Sequence, residues 1–500
     1  MSWARSFWDR HGLALVVCIA VCVPILVVRF PPMQDFPVHT ATLRILRDIH
    51  DPTAGIDQSY ELVLGRTQYV GYYVMARIVA FVTGPIVATR LLVCFYLAGT
   101  VLGLRSLLVA LGRDERLAFA VVPALYGPVF ALGLLPFLCA FPVMLFGIAA
   151  LVRRRLAPNA TRHAVVAALG FLLFYLHVVH VVTFLIAAIV LFPWRAPNRT
   201  RLAAVLSFVP CASALLWWLT MTNVGRRMFD ATTQWGSGNR APLDGALLDM
   251  FSWTGNAYTD ATDEMTFGVA LLALGFTSWL AYRHGERGGL AIRAFWIVPV
   301  ACLLLYLTGE RGRGSIWPIG QRYMLPAAIL AIPLLAMPAA HRPRRLATAA
   351  ILGAGALTVL NVTAHFLEFQ RNAADFDRAL AQIAPQKRVA SLIYARHLHP
   401  FRFSPFIHFG SYYQAEKAGV VMFTYAGYDQ WPLDFHTGRY PLFDGPAPPR
   451  WEFSPERAAE HPLAGSFDYV LARGRQNEPA PAGFERTWAG GAWEVFSAKR

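Results

Sequence analysis

A single carboxylate, Asp35, stands just past the first long apolar run of this chain. It lies in the stretch Pro31-Pro32-Met33-Gln34-Asp35-Phe36-Pro37-Val38-His39, which follows the run Leu13 to Val28. That run has about the length needed to cross a bilayer. A carboxylate at such an exit can meet both a lipid-borne and a water-soluble substrate. Ionisable groups at the membrane are candidates for function by default. The competing reading is a loop aspartate that only marks the membrane edge. If Pro37 opens a helix, His39 falls in its first turn, close to Asp35. There it could orient Asp35, touch a phosphate, or serve as a plain surface histidine.

Other residue types repeat this pattern of polar groups at the ends of apolar runs. His177 and His180 interrupt an apolar stretch. An i,i+3 zinc pair lacks further ligands, which leaves a phosphate or sugar contact, or a satisfied buried histidine. Arg311, Arg313 and Arg322 lie in or beside one loop. Arginine grips phosphate through a planar fork, although arginine at a headgroup boundary is also common.

The elements that must carry these groups follow from composition. The 500 residues are 56% hydrophobic and only 15% charged, with mean hydropathy +0.42, well below the charge content of a soluble protein. The formal charge of +15 does not indicate nucleic acid. Its arginines cluster at the ends of apolar runs, at Arg153 to Arg155, Arg195 to Arg201 and Arg342 to Arg345, as cytoplasmic loops do. The six cysteines show no metal or redox spacing. Apolar runs at 13–29, 69–85, 88–111, 117–133, 134–152, 164–192, 200–221, 265–283, 290–308, 322–339 and 346–366 predict a polytopic α-helical membrane protein with about 11 crossings.

Arg5 and Arg10 put the N-terminus in the cytoplasm, with the first run as an uncleaved anchor. By the same count 69–85 lies at the outer interface. The 164–192 run becomes two short spans broken near His177 to His180. The transmembrane domain is 1–366, with outer loops 30–68, 222–264 and 309–321. Residues 367–500 are soluble and aromatic and read as a small periplasmic α/β domain. Strands are expected at Val389 to Tyr394, Val420 to Tyr425, Tyr469 to Ala472 and Trp493 to Ser497, and helices at Ala373 to Ile383 and Ser411 to Ala418. Its tryptophans could stack on sugars or fill a core.

Three stretches together resemble the GT-C superfamily of membrane glycosyltransferases, which includes the lipid A aminoarabinose transferases and protein mannosyltransferases. They are the acidic exit motif at Asp35 with its long first loop; Tyr72-Tyr73-Val74-Met75, Gly84-Pro85 and Thr89-Arg90-Leu91-Leu92 running to Gly112-Arg113-Asp114-Glu115-Arg116; and Arg322-Tyr323-Met324-Leu325-Pro326 opening a late span. The resemblance implies a bacterial inner-membrane enzyme that uses a polyprenyl-phosphate sugar donor and an extracytoplasmic glycan, lipid or protein acceptor. It implies Asp35 as general base. His39, His177, His180, Arg311, Arg313, Arg322 and Tyr323 are the candidate substrate contacts. No cofactor is required by the sequence. Many superfamily members carry a second acid where this chain has Cys139-Ala140-Phe141-Pro142, which leaves a divalent metal open. Asp263 and Glu264 could supply another acid or simply mark a helix start. The rivals are an O-antigen-ligase-like enzyme using the large outer loop, a transporter or flippase of lipid-linked glycans, and a catalytically silent scaffold.

Overall fold

A computed structural model describes residues 2–226, 240–312, 317–428, 430–436, 451–475 and 478–499. The chain forms two compact units, each built from separated segments. One comprises Met1–Val27, Val93–Phe130 and Pro136–Ala364; the other comprises Val28–Leu92, Ala131–Leu135 and His365–Arg500.

The first unit is a helical bundle. Its described elements include α1 (Ser2–Leu26), most of α4 (Pro85–Ala110), α6 (Leu135–Leu156), α7 (Ala160–Leu176), α8 (Val178–Val190), α9 (Asn198–Leu206), α10 (Val209–Met221), α11 (Leu243–Ser252), α12 (Thr262–His284), α13 (Ile297–Thr308), α14 (Met324–Ala331) and most of α15 (His341–Asn372). Among the described residues four helices are long and apolar enough to cross a membrane, five if the bent pair α9 and α10 is one span. Close approach of α4 to α6 is set by Gly99 and Gly103, one turn apart. A Cβ there would come within 3.0 Å of Pro142 and 2.9 Å of Leu145, the small-residue packing of membrane helices.

Local chemistry breaks several apolar runs. His177 adopts an extended backbone and ends α7 while it starts α8, so the 164–192 run is two helices. The 69–85 run is a short helix, α3 (Val70–Thr83), ended by Gly84 at φ +82°. The 117–133 run is not one span. It forms a 3-10 helix (Glu115–Ala124) and then α5 (Pro128–Leu132), because Pro123 and Pro128 cannot donate to a continuous ladder. Likewise 322–339 forms a 3-10 turn, the short α14 and a second 3-10 turn containing Pro333, then β3 (Met337–Pro338), which pairs antiparallel with β2 (Glu286–Arg287).

The second unit joins the first loop to the tail. Helix α2 (Phe36–Asp48) is buried along most of its length and packs on α17 (Gly410–Lys417). The short α16 (Ala374–Ala381) precedes the tail's sheet. Strand β1 (Tyr60–Leu62) pairs antiparallel with β6 (Leu433–Phe435), and Arg66 bridges to Asp434 at 2.6 Å. The main sheet runs β5 (Val420–Val421), β4 (Arg388–Ile393), β7 (Tyr469–Arg473), β9 (Trp493–Ala498), β8 (Phe484–Gly490). Its β5–β4–β7 part is parallel and its β7–β9–β8 part antiparallel. The expected strands and helices of the tail are present, the one at 420–425 shortened to β5. Strand β8 is an addition to those expected.

Candidate functional site

Asp35 occupies the N-cap position of α2, with proline at the helix start, yet its side chain makes no capping hydrogen bond. An N-cap aspartate ordinarily accepts from a backbone N–H of the first turn. Here the carboxylate turns elsewhere. The Tyr425 hydroxyl donates to Asp35 Oδ1 at 3.2 Å. His408 Nε2 lies 3.0 Å from the same hydroxyl and 3.5 Å from Oδ1. Among the described residues Oδ2 has no hydrogen bond. The side chain remains 13% exposed, a route to solvent.

Burial, and then the Asp35 carboxylate, push the Tyr425 phenol well above its usual range, so it keeps its proton and acts as donor. The backbone is held from below. Gln34 and Asp35 donate to Ala131 and Leu132 carbonyls at 2.9 and 3.0 Å. Gly133, at φ +75°, packs so tightly that a Cβ would stand 3.0 Å from the Asp35 and Phe36 nitrogens.

His39 is buried in the next turn, and its ring partner is Tyr73 rather than Asp35. His39 Nδ1 and the Tyr73 hydroxyl are 3.2 Å apart. Tyr72, Tyr73 and Trp431 surround the imidazole, the Trp431 ring 5.0 Å away. Burial lowers His39 to about 4, against the opposing pull of Asp35. Trp431 also touches Tyr425 at 4.7 Å and donates to Thr42 at 2.9 Å, so it is a wall of this cluster. Trp493 is a core residue.

A second polar group lies within the helical unit. His177 Nε2 is 3.0 Å from Arg322 Nη1, while Val179 N–H donates to His177 Nδ1 at 3.2 Å. A neutral imidazole has one lone pair and cannot accept at both nitrogens. His180 Nε2 donates to the Phe137 carbonyl at 2.9 Å, leaving Nδ1 buried without a partner among the described residues. Arg311 is 9% exposed. It lies 4.8 Å over the Tyr306 ring, and neither Nη atom finds a hydrogen-bond acceptor among the described residues. Tyr323 ends the 3-10 turn that carries Arg322. Arg313 lies outside the described residues.

Asp263 and Glu264 sit in the first turn of α12. Asp263 accepts from the Ala257 and Tyr258 amides, so it ties down the preceding loop. Residues 139–142 lie inside α6 and are buried. Among the described residues no three His, Cys, Asp or Glu side chains gather as a metal site. His408 and Tyr425 carry no local signal in the sequence. They are joined to Asp35 only by folding, and Tyr425 is 390 residues away.

The fold is ArnT-like, in keeping with the resemblance read from the sequence. The crystal structure of ArnT from Cupriavidus metallidurans in the apo state is similar over 99% of this chain and 98% of that one, with TM-score 0.54 and 12% identity. At that identity the likeness is one of fold. No family model matches, and no curated protein matches.

Proposed function

We propose that this chain is a membrane glycosyltransferase that moves a sugar from a polyprenyl-phosphate donor to an extracytoplasmic acceptor, with Asp35 as general base. The observation that carries the reading is the Asp35 carboxylate itself. It stands at a helix start without capping it, held at one oxygen and open at the other. Oδ2 takes the proton of the acceptor hydroxyl as that oxygen bonds to the anomeric carbon. The bond from that carbon to phosphate breaks, its electron pair leaving on the phosphate, and the anomeric centre inverts.

The leaving phosphate needs positive charge near its oxygens rather than a strong acid. Arg322, backed by His177, and Arg311 are the residues for that task. Arg313, Tyr323, His180 and His39 are assigned to the substrate surroundings. The ArnT-like fold supports this reading over a transporter. A bacterial inner-membrane location, with Asp35 and the tail on the periplasmic side, belongs to the same proposal.

The test is genetic and works before the sugar is identified. Envelope glycans from cells with and without the chain are compared by mass spectrometry. Cells carrying Asp35→Asn at normal protein level should show the same missing substituent as the deletion. A normal glycan profile in those cells would contradict the reading.

A further inference from the structure

We propose that His408 and Tyr425 are positioning residues for Asp35, forming a donor chain that ties down Oδ1 and presents Oδ2 to the acceptor hydroxyl. The proposal rests on the reading of Asp35 as base.

The direction of the chain follows from proton counting. An ionised carboxylate only accepts, and a phenol has one proton. The Tyr425 proton therefore goes to Asp35 Oδ1, and the Tyr425 oxygen accepts from His408 Nε2–H. That places the His408 proton on Nε2 and a bare lone pair on Nδ1. The surroundings agree: Nδ1 is buried with no hydrogen-bond partner among the described residues, a poor place for an N–H donor.

Two packed helices supply the ends of the chain. Asp35 starts α2, and His408 shortly precedes α17, where its carbonyl accepts from Ser411 N at 2.9 Å. Both ends are therefore fixed by helix geometry, and the pair does what supporting residues do for a catalytic group. Tyr425 is held by its ring contacts with Trp431 and His408. Tyr425→Phe therefore removes the hydroxyl and keeps the packing.

The experiment has two arms on the full chain in nanodiscs. In the first, 15N-histidine NMR reads the tautomer of His408, its signal assigned by its loss in His408→Gln. The Nε2–H form is expected; an Nδ1–H form would reverse the chain and overturn the proposal whatever Asp35 does. In the second, turnover is measured with synthetic polyprenyl-phosphate pentoses and hexoses, on the acceptor that the glycan comparison identifies. Tyr425→Phe should lower kcat about tenfold with KM for the donor unchanged, as loss of one hydrogen bond to a charged group does. His408→Leu should do the same, and His408→Gln, which keeps an N–H, should recover most of it. If Tyr425→Phe turns over normally while Asp35→Asn is inactive, the positioning role fails and the base stands. If Asp35→Asn also turns over normally, both fail.

Discussion

At the scale of single residues, what favours the proposed role of Asp35 over that of a membrane-edge marker is the use of its oxygens. A marker would cap its helix; this one leaves the cap unmade. The residue type and its place after the first span were readable from the chain alone. Its two partners were not, because nothing local ties Tyr425 or His408 to Asp35. His39 teaches the reverse lesson. Spacing put it near Asp35, but its ring turns to Tyr73 and Trp431.

The burial of His39 carries a pH prediction. Its folded value near 4 lies below the ordinary 6.5. The unfolded chain thus binds the proton more readily, and stability from this residue is complete above pH 6.5 and is lost as pH falls toward 4. Stability measured from about pH 7 down to about pH 4 should fall less steeply in His39→Gln than in the parent, the difference reaching about 3 kcal/mol. Parallel curves would show that His39 does not titrate in this window.

At the scale of elements, the segment 131–135 determines where Asp35 stands. Gly133→Ala puts a side chain on a positive-φ residue, costing about 1–2 kcal/mol, and presses on the Asp35 and Phe36 nitrogens. The melting temperature should drop modestly and transfer should drop further; equal transfer with a lowered melting temperature would free Asp35 from this support. The arginines form a separate test. Arg322→Ala and Arg311→Ala should each weaken binding of a polyprenyl phosphate in nanodiscs, and unchanged affinity in both would remove them from the donor site. Period and punctuation found the break at His177, the short α3 and most tail strands. They failed at 117–133 and 322–339, where proline and 3-10 turns divide apolar sequence that hydropathy alone joins. They also missed β8, whose mixed sequence Phe484 to Gly490 leaves most side chains exposed or half-buried, so no apolar alternation announces it.

At the scale of the molecule, an ArnT-like fold at 12% identity means that the architecture outlasts nearly all side chains. Function must then be argued from the site. Topology is the first requirement. A periplasm-dependent reporter fused after residue 370 should be active, and one fused after Arg155 inactive, as the basic clusters demand. The opposite pattern would put Asp35 on the wrong side for a lipid-linked extracytoplasmic transfer. The most direct test of the central claim is the single-turnover rate of Asp35→Asn, measured with the donor and acceptor that the glycan comparison identifies. Asparagine keeps size and hydrogen-bond acceptance but is a far poorer base. The account predicts a loss of about 10²–10⁴-fold in the chemical step, with donor affinity and melting temperature unchanged. A well-folded Asp35→Asn protein that transfers sugar at the parent rate would contradict it.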